Sequence, residues 1–169
     1  KSENHTWYPV WALALTTGMR SGELYALRKA NVQLDQGLIR VCESWDNLKN
    51  VAKSTKAKYW RNAPVPTGLI RLLQSLMDAN PESEFLLPRI VDWERGFQAL
   101  VLRAYCKKIG IRSVRFHALR SCFATHLLAS GVEEAKVMAI GGWKDFKTFQ
   151  IYVRLAGIRE RGINENFGK

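Results

Sequence analysis

Apolar residues recur at helical spacing along most of this chain, and the pattern breaks once, between residues 32 and 65. Trp7, Trp11, Ala14 and Leu15 predict a first helix ending near Thr17-Gly18. Ser21 is placed to cap a short second helix, with Glu23 in its first turn, where the helix dipole favours an acid. Leu69, Leu72, Leu73 and Leu76 share one face of a helix over about 68–78, broken by Asn80-Pro81. Further helices are predicted over 93–108, 117–130, 132–140 and 146–155, the first three closed by Gly110, Gly131 and Gly141-Gly142. Inside the break, Asp35 and Gly37 separate short extended runs, which predicts a small antiparallel sheet of two or three strands. The fold class that follows is mainly α with a small antiparallel β-sheet. At 169 residues, one domain with a real core is expected.

Charge narrows the choice of partner. Lys and Arg total 26 against 15 Asp and Glu, a net +11. Such an excess points to a polyanion, because each cation that meets a phosphate releases condensed counterions. The bland alternative is a basic soluble protein with no such partner. Hydrophobic residues at 47% argue against disorder. Cys42, Cys106 and Cys122 are odd in number and scattered, which suits neither a zinc site nor a disulfide framework. They are expected to be buried small apolar residues. The apolar run over 7–15 is interrupted by Pro9 and falls short of the roughly 20 residues that span a bilayer. No signal-peptide cleavage pattern follows it. The expectation is a cytoplasmic protein with no membrane partner. The first helical pattern opens within a few residues of Lys1, so residues 1–169 read as a single domain cut from something longer.

Five residues carry candidate chemistry. His117 and Arg120 stand at i and i+3 on a predicted helix, so imidazole and guanidinium can converge on one anion. Arg20, held between two helices, can grip a phosphate with a planar, bidentate fork. Its neighbouring glycines make no phosphate-cradling loop, since no Gly-Lys-Ser/Thr follows. The Tyr152 phenol can attack phosphorus if its proton is taken and the developing charge is met. The Trp143 indole N–H is a donor that can reach a phosphate oxygen. Taken singly, each has a plainer reading: surface arginines, a surface histidine, and aromatic residues packed in a core.

Their order along the chain is more specific. The segments TGMRSGEL, FHALRSCFATHLLASGV and IGGWKDFKTFQIYV closely resemble the three catalytic segments of the tyrosine recombinase (phage integrase) family. The resemblance runs from about Thr17 to about Arg154. It implies that Arg20 is the family's first arginine, with Glu23 as a supporting carboxylate. His117 and Arg120 would be its histidine–arginine pair, Trp143 would occupy a position that is His in many members, and Tyr152 would be the nucleophile. The family places a catalytic lysine on a β-hairpin between the first two segments. Alignment of Thr55-Lys56-Ala57-Lys58-Tyr59-Trp60-Arg61-Asn62-Ala63-Pro64-Val65 points to Lys56, with Lys53 and Lys58 as alternatives. The plainer reading is that Lys49, Lys53, Lys56, Lys58 and Arg61 are all phosphate-facing charges with no chemical role. Two departures are visible: Ser121 stands where many members have a second His, and Gly141 replaces a common apolar residue.

The implied activity is cutting and rejoining of double-stranded DNA through a 3′-phosphotyrosyl intermediate, with neither metal, ATP nor other cofactor. The resemblance also implies a missing N-terminal DNA-binding domain, and a tetramer on DNA from a chain that is monomeric when free. Leu155, Ile158 and Ile163, at rough helical spacing, suit a short element docking on a neighbouring protomer. Two alternatives stay open: a type IB topoisomerase-like strand transferase, and a DNA-binding module that no longer cuts. A two-metal nuclease is disfavoured, because Asp35, Asp46, Asp78, Asp92 and Asp145 show no clustering with Glu.

Overall fold

Helix α1 (Tyr8–Thr17) carries Pro9 in its first turn, where a missing N–H costs nothing, and ends at Gly18 in the left-handed conformation (φ 63°). It belongs to a computed structural model that describes residues 5–54 and 59–157. The short α2 (Ser21–Tyr25) follows at once. Its N-cap is Arg20, one residue earlier than the sequence suggests, and the Glu23 carboxylate reaches back to accept the Arg20 N–H at 2.7 Å. Ser21 instead accepts a hydrogen bond from the Trp93 indole at 3.0 Å.

The extended stretch forms two sheets among the described residues, where the sequence predicts one. Strands β1 (Val32–Gln33), β2 (Leu38–Val41) and β5 (Arg61–Pro64) make an antiparallel sheet with β2 in the middle. Strands β3 (Glu43–Asp46) and β4 (Val51–Ser54) form a separate hairpin. Only Cys42 separates β2 from β3, so the chain leaves one sheet and enters the other within a residue. In the first sheet, Ile39 pairs with Ala63 and Val41 with Arg61. Alternation then sends Ile39, Val41, Arg61 and Ala63 inward and Arg40 and Asn62 to solvent. Arg61 is thus on the buried face, against the expectation of a phosphate-facing cation.

Beyond the sheets come α3 (Ile70–Ala79), α4 (Val91–Glu94), α5 (Gln98–Lys108), α6 (Phe116–Ala129), α7 (Glu134–Gly141) and α8 (Phe146–Leu155). The helix predicted over 93–108 is two helices, because Gly96 takes φ 78° and breaks the run. Asp145 caps α8 by accepting from the backbone N–H groups of Lys147 and Thr148. Among the described residues no helix is long and apolar enough to cross a membrane. Ile158 and Ile163 lie outside the described residues. Cys106 is buried, as expected, but Cys42 is only half-buried and Cys122 is exposed.

Buried side chains gather in two clusters. The larger joins Val10, Leu13, Leu24, Ile39, Leu73 and Leu102. The smaller joins Ala124, Leu128, Val137, Phe149, Tyr152 and Val153. Helix α6 serves both, with Phe116 in the first and Ala124 and Leu128 in the second, and it packs on α1 and α8. Arg120 lies between these two apolar ends of α6.

Gly18 tests the α1–α6 packing. A Cβ there would lie 2.4 Å from the Phe123 ring, at a φ that an L side chain rarely adopts. Gly18→Ala is expected to lower stability by about 2–4 kcal/mol, from left-handed strain and overpacking together. Urea denaturation measures it.

Candidate active site

Three arginines converge on the C-terminal end of one helix. The last carbonyls of a helix have no intrahelical partner and carry the negative end of its dipole. At α7, Arg61 Nε donates to the Ile140 carbonyl at 2.8 Å, Arg120 Nη1 to that of Gly141 at 2.7 Å, and Arg20 Nη2 to that of Gly142 at 3.1 Å. Each arginine arrives from a different element: β5, α6 and the N-cap of α2.

A single buried carboxylate holds two of them. Glu23, 4% exposed, accepts both Arg61 Nη1 (2.9 Å) and Arg61 Nη2 (2.7 Å), and also Arg20 Nη1 (3.0 Å). Burial alone would push this carboxyl up; the Arg61 hydrogen bonds and charge, aided by Arg20, outweigh it and hold Glu23 below the usual carboxylate range. The Arg20 side chain is 49% exposed, so its pairing is screened and contributes less than the Arg61 fork.

Arg120 is enclosed. It is 3% exposed, donates also to the Gly18 carbonyl, and stacks over the Trp143 ring with its guanidinium carbon 3.7 Å from the centroid. Burial first, then the Arg20 charge, brings its pKa down to about 9, so it is still a cation at neutral pH. Its Nη2 is buried without a hydrogen-bond partner among the described residues. A desolvated cation with an unused donor, beside further arginines, is a receptor for an anion.

The Gly141-Gly142 pair makes this packing possible. A Cβ on Gly141 would lie 1.9 Å from the Trp143 ring, and one on Gly142, at φ 74°, would lie 3.0 Å from the Arg61 guanidinium. The departure at Gly141 therefore has a steric cause: with the Trp143 indole folded over Arg120, no side chain fits at 141.

His117 is on the exposed side at the start of α6. Partial burial, then the positive charges of Arg120 and Arg20, lower its pKa and favour the neutral imidazole. Tyr152 is 8% exposed, its ring 5.3 Å from that of Trp143 and 5.7 Å from that of Phe149. A cleft of about 360 Å³ opens beside the cluster, lined by Arg20, Arg61, Trp143, Lys144 and Tyr59 among others, and Tyr152 is not part of its wall. Lys56 and Lys58 lie outside the described residues. Lys53 pairs with Asp46 across the hairpin.

The structure thus brings together Arg20, Glu23, His117, Arg120, Trp143 and Tyr152. It adds Arg61, which the sequence reading left among the surface cations. The signal was present: Arg61 is in phase with Ala63 and Val65 on a strand whose other face carries Asn62 and Pro64. Among the described residues no group of three or more His, Cys, Asp or Glu could hold a metal ion.

Comparison with known proteins bears on the family and the fold. The model of the phage integrase family matches residues 3–157. The tyrosine recombinase XerD of Neisseria meningitidis serogroup B is 28% identical over 151 residues, which cover 89% of this chain and 51% of that protein. The chain therefore spans about half the length of the curated relatives it matches. The crystal structure of XerA recombinase superposes with a TM-score of 0.72 at 24% identity, over 90% of this chain and 54% of that one. The Tn1549 transposon integrase, in complex with transposon right end DNA, superposes with a TM-score of 0.75 at 16% identity, over 90% and 55%. At these identities the solved structures speak for the fold alone.

Glu23→Gln should be costly, because it leaves the buried Arg61 charge unmatched. The expected loss is about 3–5 kcal/mol. A carboxyl held below its usual range stabilises the fold above that range and loses this contribution as pH falls through its folded-state value. The stability of the variant, followed by denaturant titration from neutral to acid pH, should accordingly decline less in acid than that of the unmutated chain.

Proposed function

Because this chain belongs to the phage integrase family, as a tyrosine recombinase catalytic domain, we propose that it cuts and rejoins DNA strands at specific sites through Tyr152. The observation that carries this reading is Arg120, a buried cation with an unused donor, flanked by Arg20 and His117. A scissile phosphodiester offers the oxygens that such a cluster lacks.

In the proposed reaction, Arg20, Arg120, His117 and the Trp143 N–H hold the non-bridging oxygens and stabilise the extra charge of the pentavalent transition state. The Tyr152 oxygen attacks phosphorus in line, the bond to the 5′-oxygen breaks, and a 3′-phosphotyrosyl link forms. His117, held neutral by burial and by its cationic neighbours, accepts the phenol proton. Lys56 gives a proton to the departing 5′-oxygen, which leaves as a hydroxyl. A 5′-hydroxyl from a partner strand reverses the step. A phosphodiester is exchanged for a phosphotyrosine of similar energy, so the reading needs neither nucleotide nor metal. Glu23 and Arg61 fix the arginines and take no part in the chemistry.

The ring of Tyr152 packs on Trp143 and Phe149, and its phenol lies within electrostatic reach of Arg120. The partner in this reading is double-stranded DNA, for which the net charge of +11 is suited. Assembly into a tetramer on two DNA sites, from a monomer when free, would bring the exchanging strands together in the cytoplasm.

Tyr152→Phe removes a single hydroxyl. It should abolish covalent protein–DNA adduct on nicked duplexes, seen on denaturing gels, and leave DNA affinity within a few-fold. Undiminished adduct in this variant would remove Tyr152 as the nucleophile.

A further inference from the structure

The reaction proposed above gives Lys144 no part, although this exposed residue follows Trp143 directly and lines the cleft with Arg20. Its ammonium lies 4.9 Å from the centroid of the Tyr59 ring. Among the described residues it makes no ion pair. Both carboxylates in the cleft wall are engaged elsewhere. Glu23 is taken by Arg61 and Arg20. Asp145 accepts from the backbone N–H groups of Lys147 and Thr148 and from the Thr148 hydroxyl at 2.6 Å. Those bonds also close the first turn of α8 to an outside anion. The uncompensated positive charge on that wall is therefore the Lys144 side chain.

Tyr59 is aimed into the cleft by strand phase. Continued back two residues from Arg61, the alternation of β5 puts Tyr59 on the side of Arg61, and both line the cleft. Trp60 falls on the opposite side, where it is 52% exposed and its ring carries the Arg40 guanidinium, 4.9 Å from the centroid. The Tyr59 ring attracts the Lys144 ammonium electrostatically and narrows the swing of its flexible four-carbon stem. A cation that would otherwise range through solvent is held at the cleft.

The cleft measures about 360 Å³, a size that takes a ligand and not just one small anion. Arg20 and Trp143 of its wall belong to the cluster that would clamp the scissile phosphate. A DNA strand carries one negative charge per nucleotide, so a strand seated on that clamp brings a second phosphate along the same cleft.

We propose that Lys144, steadied by the Tyr59 ring, binds the phosphate next to the scissile one on the cleaved strand. It is a positioning residue that fixes the register of the strand on the arginine clamp and touches no reacting atom. This rests on the reading of Arg20 and Arg120 as the clamp on the scissile phosphate.

The test neutralises single phosphates. A nicked duplex that gives covalent adduct is selected from a randomised pool. Its cleaved strand is remade with one uncharged methylphosphonate at a time, on either side of the scissile position. Affinity of the full chain for each duplex is measured across salt. Lys144→Met removes no packing from an exposed site. It should weaken binding of the all-phosphate duplex about fivefold and lower the salt slope by about one. One methylphosphonate beside the scissile position should weaken the unmutated chain to a similar extent and leave Lys144→Met unaffected. Lys144→Arg should keep both the affinity and that positional sensitivity. Tyr59→Leu should weaken binding about two- to threefold, and Tyr59→Phe, which keeps the ring, should not.

The proposal is overturned if Lys144→Met stays as sensitive as the unmutated chain to a methylphosphonate at both neighbouring positions. It is overturned equally if Lys144→Met binds every duplex as the unmutated chain does. Either result, on a duplex that still gives adduct, removes the Lys144 contact and leaves the reading of the clamp standing. If no duplex in the pool gives adduct, the reading of the clamp fails and the Lys144 contact falls with it. Full affinity in Tyr59→Leu would overturn the part assigned to the ring.

Discussion

The C-terminal carbonyls of α7 and the Glu23 carboxylate are the acceptors around which the rest of this site is organised. Three guanidinium groups would repel one another if brought together in an apolar interior. Here the carbonyls of Ile140, Gly141 and Gly142 take one donor from each, and Glu23 neutralises the most buried pairing, with Arg61. The arrangement locks β5, α2, α6 and α7 into one register. It also leaves a surplus of positive charge, since a single carboxylate faces three arginines. That surplus is concentrated on Arg120 and Arg20, and it makes the site incomplete without an anion.

The same packing explains the glycine pair and the indole. Gly141 and Gly142 end α7 with no side chains, so Trp143 can fold back over Arg120 while Arg61 approaches from the other side. Trp143 in turn touches Tyr152 and Phe149, which belong to the smaller apolar cluster. The candidate nucleophile is therefore coupled through one aromatic ring to the arginine that would bind its target.

Much of this was legible in the residue order, and the remainder was hidden for identifiable reasons. Helix α8 has the bounds its periodicity predicts, and α6 is shifted by one residue at each end. The motifs around Arg20, His117, Arg120, Trp143 and Tyr152 locate the cluster because short segments dominate its geometry. The β3–β4 hairpin was under-read because each of its strand residues is only half-buried or exposed, so no strong alternation of burial marks it. The break at Gly96 was read through as helix interior, since glycine is tolerated there and only its φ reveals the turn. Arg61 was misplaced because it stands in a run of cations that reads as phosphate-facing, although its strand phase argued for the interior. Partnership between Arg89 and the rings of Phe85, Tyr25 and Trp45, far apart in sequence, has no local signature.

The central claim is that Tyr152 forms the covalent bond to DNA, and the most direct measurement reads the bond itself. Adduct trapped on a nicked duplex is digested with protease and nuclease, and the nucleotide-bearing peptide is sequenced by mass spectrometry. The account predicts a nucleotide 3′-phosphate esterified to the phenol of Tyr152, in the peptide containing Phe149, Gln150 and Ile151. A nucleotide on any other residue would contradict it.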